Sequence, residues 1–400
     1  MYIYNLSILF VMIILVRKRV NLLSPSYLLL AFNSLYTYSI YFGHNFNYGA
    51  LSLLDNLNLV NWHMNISSSV NIALGLSYLV FFKKLKYINL SKKNKVFTSF
   101  NHIIYVLVYI LIGIALSVFG NRYGWDAVSH YHMHSKLASL YFYGRIMYAA
   151  MFIYYFVHKY KKLDIVFFIM IVLQIVVTMI DNGRTIIVPT LALIMYFLIE
   201  KHGFKFKYLF FILLSFLIML ITRALIMEGS LVTAMLSSIF IEGAFGSYSS
   251  LNVLNIILNG TIKSYTYGLS YIIDPIIWSI PFSDTNLTFF KKFVSLNFSN
   301  ISFTPMGGFY FVAEANAAIP IIGPFLITLI ISSFFAILER KYNKENLFFI
   351  AMYVSVGFLF TKIIFGNAIK IFVIYFASLI VINFFTTLRI KRETRFYNNK

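Results

Sequence analysis

Residues 165–199 read IVFFIMIVLQIVVTMIDNGRTIIVPTLALIMYFLI, which is two apolar runs on either side of the polar turn 181–185. Each run approaches the length of about 20 residues that an α-helix needs to cross a bilayer. Similar runs continue along the chain in both directions. The full set of predicted spans is 2–16, 25–42, 66–82, 102–119, 142–157, 164–180, 185–199, 208–226, 318–338, 347–364 and 368–388. The sequence therefore predicts an all-α polytopic integral membrane protein with about eleven transmembrane helices, in a range of about 10 to 12.

The composition of the whole chain agrees with a membrane protein. Of the 400 residues, 60% are hydrophobic and 12% are charged, whereas a soluble domain has about 25% charged residues. The chain has no cysteine, which excludes disulfides, cysteine-ligated metals and a cysteine nucleophile. Gly-rich phosphate loops, Asp-x-Asp pairs and Gly-x-Ser-x-Gly elbows are also missing from the sequence. We expect neither a nucleotide site nor a cofactor.

The basic residues predict the orientation, because Lys and Arg are retained on the cytoplasmic side of a membrane. Most of the 33 basic residues fall in alternate loops, while most of the 13 acidic residues fall in the others. The basic loops carry Arg17 to Arg19, Lys83 to Lys95, Lys159 to Lys162, Lys201 to Lys207, Arg340 to Lys344, and Arg389 to Lys400. This sorting places the N-terminus in the periplasm and the C-terminus in the cytoplasm. The net charge of +20 is then an orientation signal, and we expect no nucleic acid partner.

The longest outer segment is predicted at 227–317, between the eighth and ninth spans. Its apolar pieces at 231–241, 251–258 and 272–282 are short and are interrupted by Glu242, Asn252, Asn255, Asp274 and Pro275. Such pieces are typical of interfacial or re-entrant helices, although a hidden pair of crossings would preserve the topology. We find no repeat and no linker, so residues 1–400 are predicted to form a single membrane domain.

Several charged residues are predicted near the outer ends of the spans. They include Arg145, Asp181, Arg184 and Arg223. A guanidinium presents paired donors that suit phosphate oxygens and stays ionised when partly buried. The alternative is that each arginine reaches toward lipid headgroups or pairs with Asp181 or a carbonyl. Both interpretations remain open at this stage.

Glu314 is a second candidate, because it is a lone carboxylate in the small and apolar stretch FVAEANAAIPIIGPF. A carboxyl group in such surroundings can have a raised pKa and act as an acid or a base. The alternative is a carboxylate that stabilises a helix N-terminus. The histidines of SHYHMH, at 130, 132 and 134, have the spacing of metal ligands, but histidines in a wet loop are more often merely polar, so we predict no metal site.

Three local stretches resemble bacterial oligosaccharide repeat-unit polymerases, the Wzy-type O-antigen and capsule polymerases. The turn DNGRT is similar to the family's outer-turn arginine, at Arg184. The stretch TYGLSYIIDPIIWSIPF is similar to its Gly-x-Ser-Tyr and Pro pattern, at Gly268, Ser270, Tyr271 and Pro281. FVAEANAAIPIIG is similar to its Glu, Asn and Gly sequence, at Glu314, Asn316 and Gly323, but Ala317 and Ala318 stand where an aromatic residue and Gly often follow the Asn.

The resemblance implies glycosyl transfer at the periplasmic face of the bacterial inner membrane, from an undecaprenyl-pyrophosphate-linked oligosaccharide to a second such molecule. Membrane lipids and a chain-length regulator are further expected partners. Catalytic roles fall to Glu314 as the base, with Glu242, Asp181 or His132 as alternatives, and to Arg184 and Arg223 as the charges facing the pyrophosphate. The substrate-binding set is Arg145, Arg122, Asp181, Glu242, Ser270, Tyr271, Asn316 and His132. An O-antigen ligase and a lipid-linked oligosaccharide flippase remain alternatives.

Overall fold

The computed structural model describes residues 1–45, 53, 56–82, 99–129, 135–158, 165–179, 187–203, 231–280, 283, 287–298, 310–341 and 346–398. All regular secondary structure within these residues is helical, as predicted. The described residues divide into two compact units, which are described separately below. The single domain that we predicted is neither supported nor contradicted by this division, and it stays a prediction.

The first unit comprises residues 1–86, 220–344 and 355–370. Its helices within the described ranges are α1 (Tyr2–Arg17), α2 (Pro25–Asn45), α3 (Leu57–Phe81), α8 (Leu231–Leu258), α9 (Leu269–Ile272), α10 (Asp274–Ser279), α11 (Phe289–Asn297), α12 (Phe311–Ala318) and α13 (Gly323–Lys341). The N-terminal turns of α15 (Phe365–Asn398) also belong to it. Helix α3 packs against α1 and α13, and α8 packs against α2. The short helices α9 to α12 follow α8 and lead into α13.

The second unit comprises residues 87–219, 345–354 and 371–400. Within the described ranges it contains α4 (Ser99–Ser129), α5 (Ser135–His158), α6 (Ile165–Met179) and α7 (Ile187–His202), together with α14 (Leu347–Met352) and most of α15. Helix α14 continues as one π-helical turn over Tyr353–Gly357. Helix α4 packs against α5 and α6. Large aromatic side chains fill this core, with Tyr109 stacked on Tyr148 at a centroid distance of 4.1 Å.

Within the described part of the chain, three helical segments are long and apolar enough to cross a membrane: Leu57–Phe81, Gly323–Arg340 and Phe365–Thr387. Shorter apolar helices occur at Tyr2–Arg17, His102–Val118, Ile165–Val177 and Leu347–Gly357. Several present large apolar side chains outward, such as Leu111 on α4, which is 65% exposed. Such exposed apolar faces are suited to contact with the hydrocarbon chains of lipids. The helices therefore indicate a membrane protein, while the count of eleven crossings and the orientation stay predictions.

Ten of the eleven predicted spans overlap helices, although the span 318–338 begins before α13 and crosses the turn 319–322, and the span 347–364 ends in the turn 360–364. The span 208–226 lies outside the described residues. The prediction of separate short pieces at 231–241 and 251–258 is wrong, because α8 is a single helix of 28 residues. It has no proline, and its central small residues are buried, which allows a close approach to α2. Ser247 Oγ donates to the Tyr36 carbonyl at 2.7 Å. The polar residues that we took as interruptions are thus compatible with a packed helix.

Candidate functional site

Glu314 lies on the short helix α12, with no side-chain surface exposed. One carboxylate oxygen, Oε2, accepts a hydrogen bond from the backbone N–H of Phe365 at 2.9 Å. The other, Oε1, is buried and has no hydrogen-bond partner among the described residues. In the turn after α12, the backbone of Gly323 lies so close to the carbonyl oxygen of Ala315 that a Cβ at this position would overlap it. This close approach explains why glycine occupies position 323.

Burial raises the pKa of the Glu314 carboxyl to about 8. The N–H of Phe365 opposes this shift, and the negative charge of Asp274 adds to it. At neutral pH the group is therefore mostly protonated, with about a tenth ionised. A carboxyl group with a pKa near the working pH can both accept and return a proton.

Tyr271 lies close enough to Glu314 for the two side chains to interact electrostatically, although they do not hydrogen-bond to each other. Burial raises the pKa of the phenol well above its usual value, and the Glu314 charge raises it further, so the phenol stays protonated. Its ring packs on Phe365 at a centroid distance of 5.2 Å. The buried phenol oxygen has no hydrogen-bond partner within the described ranges. The pair thus offers a proton acceptor and a hydroxyl donor in the same buried region.

Two more buried nitrogens in these short helices have no hydrogen-bond partner in the described part of the chain: Trp278 Nε1 and Asn316 Nδ2. A buried polar atom left without a partner costs about 1–3 kcal/mol, and each such atom calls for an explanation such as a catalytic role, a bound ion or a water molecule. The amide oxygen of Asn316 accepts from Ile321 N at 3.1 Å, which holds the turn after α12. Asn316 therefore has a structural contact and an amide that can still donate.

Ser270 has a structural role in this region. Its hydroxyl lies 3.2 Å from that of Thr266, and both residues are buried. The backbone N–H of Thr266 in turn donates to the Ala317 carbonyl at 3.0 Å, which ties the start of α9 to the end of α12. The structure therefore brings together four of the predicted site residues, Glu314, Tyr271, Asn316 and Ser270.

The remaining predicted site residues are placed only in part or not at all. Arg145 is buried on α5 in the second unit, where its guanidinium carbon lies 5.6 Å from the Tyr141 ring centroid. Arg122 lies on α4 and Glu242 on α8, and their side chains are not among those described. Arg184, Arg223, Asp181 and His132 lie outside the described residues, as does Pro281.

Metal binding has no candidate in the described part of the chain, where no three His, Asp or Glu side chains cluster. The histidines at 130, 132 and 134 lie outside it.

The structure places three residues near the site that the sequence did not suggest: Asp274, Lys291 and Lys370. Lys370 gave one usable signal, since it is a lone cation inside the apolar run 368–388 and such residues are commonly functional. Asp274 and Lys291 gave none.

Comparisons of this chain with known protein families, with curated proteins and with solved structures give no match.

Proposed function

We propose that this protein is a glycosyltransferase of the inner membrane that polymerises oligosaccharide repeat units linked to undecaprenyl pyrophosphate. The eleven-span topology, the periplasmic N-terminus and the cytoplasmic C-terminus are parts of this proposal. The observation that carries it is Glu314, a buried carboxyl with a pKa of about 8. One of its oxygens has no hydrogen-bond partner among the described residues, and Tyr271 lies close enough to interact with it electrostatically. The resemblance of three sequence stretches to repeat-unit polymerases supplies the substrate class.

Glu314 would act as the general base of the transfer. Its ionised form accepts the proton of the acceptor sugar hydroxyl, and the hydroxyl oxygen then attacks the anomeric carbon of the donor. The bond from that carbon to the phosphate oxygen breaks, and undecaprenyl pyrophosphate leaves with the bonding electrons. General-base assistance of this kind contributes about 10²- to 10⁴-fold to a rate. A donor that arrives through the membrane needs no nucleotide site, and none is predicted.

Tyr271 and Asn316 would bind hydroxyl groups of the acceptor sugar. A sugar hydroxyl can donate to Glu314 Oε1 and accept from the phenol or the amide at the same time. Such contacts would satisfy the buried atoms that have no partner among the described residues. Groups on α9 and α12 would thus supply both the base that accepts the proton and the donors that bind the acceptor sugar.

Deletion of the gene, followed by gel analysis of the lipopolysaccharide, tests this function. The proposal predicts that the polymer ladder disappears while a single repeat unit stays attached to the lipid A core. Loss of all attached repeats, with lipid-linked polymer accumulating, would instead identify a ligase. Loss of every repeat from the periplasmic face, without lipid-linked polymer, would point to a flippase. A normal ladder in the deletion strain would refute all three.

A further inference from the structure

Tyr310 immediately precedes α12, the short helix that carries Glu314. Its side chain is fully buried, and its phenol donates a hydrogen bond to Asn33 Oδ1 on α2. Its backbone N–H donates to Ser249 Oγ on α8 at 3.3 Å. The residue at the start of α12 is thus tied to two longer helices, once through its side chain and once through its backbone.

The orientation of the Asn33 amide is fixed by its other contacts. Its nitrogen donates to the Ser67 carbonyl at 3.0 Å and to Asn71 Oδ1 at 2.7 Å, both on α3. Its backbone carbonyl accepts the phenol of Tyr4 on α1 at 3.1 Å. Because both amide hydrogens are used, only the amide oxygen is left to meet Tyr310. These hydrogen bonds join α1, α2 and α3 to the residue before α12, and a buried network of this kind holds its members rigidly.

Two hydrogen bonds connect α12 to the segment that leads into α15. The backbone N–H of Phe311, the first residue of α12, donates to the Thr361 carbonyl at 3.2 Å. Further along the same segment, Phe365 donates its backbone N–H to Glu314 Oε2 at 2.9 Å. Tyr310 lies next to Phe311, so a displacement of Tyr310 changes the first contact directly. Because α12 has only eight residues, the same displacement also changes the distance between Glu314 and its N–H donor.

We propose that Asn33 and Tyr310 are positioning residues for Glu314, because their hydrogen bond fixes the start of α12 and thereby the distance from the carboxylate to the N–H of Phe365. The inference rests on the proposed function and deepens it, since it names residues that act through the base and not on the substrate. Loss of the N–H contact leaves the buried carboxylate without its donor and disfavours the ionised form. The base would then work only at higher pH.

Two substitutions break the proposed contact from its two ends. Tyr310→Phe removes only the phenol oxygen, and Asn33→Leu removes the oxygen that accepts from it. The readout is the carboxylic C=O band of Glu314, followed against pH by infrared difference spectroscopy of the full-length protein, which requires no substrate. We expect the midpoint to rise from about pH 8 to about pH 9 in each variant, because a lost hydrogen bond to an ionised group changes its proton affinity by about tenfold.

The double variant Tyr310→Phe, Asn33→Leu tests whether the two residues act through one contact. Both substitutions break the same hydrogen bond, so the midpoint of the double variant should equal that of either single variant. Shifts that add in the double variant would mean that the residues act independently, and would overturn the proposal. An unshifted midpoint in Tyr310→Phe with the helical content intact would overturn it as well.

The pH dependence of the rate separates positioning from a general loss of structure. With purified protein and lipid-linked repeat units, polymer formation by Tyr310→Phe at pH 7 should be about tenfold slower than in the wild type, in step with the ionised fraction of Glu314. The rate should recover as the pH rises toward about 9. A loss of rate that is the same at every pH would indicate a structural role only and would overturn the proposal.

Other titratable side chains lie close to these groups. Asp274 and Tyr271 interact electrostatically with Glu314, and the ring of His63 packs 5.9 Å from that of Tyr310. None of the substitutions alters them, so a moved midpoint reports the N–H contact.

Tyr4→Phe is the matched control, since it removes another buried phenol that bonds to Asn33 but leaves the contact between Asn33 and Tyr310 in place. It should lower the melting temperature and leave the midpoint near pH 8. An equal shift in Tyr4→Phe would assign the effect to the network as a whole and overturn the proposal. A midpoint shifted only by Tyr310→Phe and Asn33→Leu, in a protein whose deletion leaves the ladder intact, would keep the positioning role and reject the polymerase function.

Discussion

Asp274 and Glu314 lie in two neighbouring regions of the first unit, and both carboxyl groups are fully buried. At the start of α10, the two oxygens of Asp274 accept the backbone N–H groups of Phe289 at 2.7 Å and Phe290 at 3.0 Å. On α12, Glu314 accepts one N–H through Oε2 and has no partner for Oε1 among the described residues. Both oxygens of the Asp274 carboxylate therefore accept a hydrogen bond, whereas only one oxygen of Glu314 does so among the described residues.

This difference in hydrogen bonding suits Asp274 to a structural role and Glu314 to a chemical one. Burial raises the pKa of the Asp274 carboxyl, and the N–H groups of Phe290 and Phe289 at the start of α11 oppose this rise. Glu314 has a single N–H donor among the residues that the structure describes, and burial raises its pKa to about 8. A carboxylate whose two oxygens both accept hydrogen bonds holds a loop in place. A carboxylate with one oxygen left to accept a hydrogen bond can exchange a proton with a substrate. Each experiment below either removes this contrast or measures it.

The largest expected effect is on activity. Glu314→Gln should abolish the polymer ladder, with a rate loss of about 10²- to 10⁴-fold, because the amide cannot take up the acceptor proton. The fold should be retained, since the amide oxygen still accepts from Phe365. Gel analysis of the lipopolysaccharide, scaled to the amount of membrane-inserted protein, provides the measurement.

Asp274→Asn is the matched control for that experiment. It removes a buried negative charge from the same region but leaves one oxygen to accept an N–H. We expect a ladder reduced by less than about tenfold per molecule of protein, since Asp274 influences Glu314 only through its charge. Equal losses in the two variants would remove the distinction between the two carboxyl groups.

The second effect is on the pH dependence of stability. The folded state holds the Glu314 proton up to about pH 8, whereas the unfolded state releases it near 4.5. Rising pH therefore favours the unfolded state across this window, by an amount on the order of a few kcal/mol. The melting temperature of the wild-type protein should fall from about pH 4.5 to about pH 8 and then level off. Glu314→Gln should flatten that part of the profile, and an unchanged slope would argue against a protonated Glu314.

A smaller effect is expected from Asp274→Ala. The substitution leaves the N–H groups of Phe289 and Phe290 without their acceptor, which costs about 1–3 kcal/mol. Thermal unfolding of the purified protein in detergent measures this loss. A variant as stable as the wild type would show that water or another side chain replaces the carboxylate, and Asp274 would then not be the structural member of the pair.

The smallest effect is expected from Ser270→Ala. The hydroxyl pairs with that of Thr266, so its removal should lower stability by about 1 kcal/mol and leave the ladder unchanged once protein amounts are matched. A lost ladder with normal protein levels would instead place Ser270 with Glu314 as a group that contacts substrate.

The helical fold was predictable because apolar runs of bilayer length have few other solutions. Helix α8 shows where this reasoning fails. Glu242 and Asn252 were counted as interruptions, but neither residue breaks a helix, and the buried small residues between them pack on α2. Whether a polar residue ends a helix or lies against another helix depends on the tertiary contact, which a hydropathy profile does not contain.

The site was predictable only where its signal was local. Glu314 stood out because it is a lone carboxylate in a small and apolar segment, and Tyr271 was found through the sequence resemblance. The contacts of Trp278 with Lys291 and Lys370 had no local signal, since the three residues come from three different helices. The burial and hydrogen bonding of Asp274 were equally invisible, because its donors come from another helix.

The protonation state of Glu314 is the central claim, and infrared difference spectroscopy of the full-length protein tests it most directly. We predict a carboxylic C=O band that is present at pH 6, disappears as the pH rises through about 8, and is missing from Glu314→Gln but retained in Asp274→Asn. Because Asp274→Asn removes a negative charge that raises the pKa of Glu314, the Glu314 band of this variant should titrate at a lower pH than that of the wild-type protein. A spectrum at pH 6 that is identical in the wild-type protein and Glu314→Gln would contradict the account.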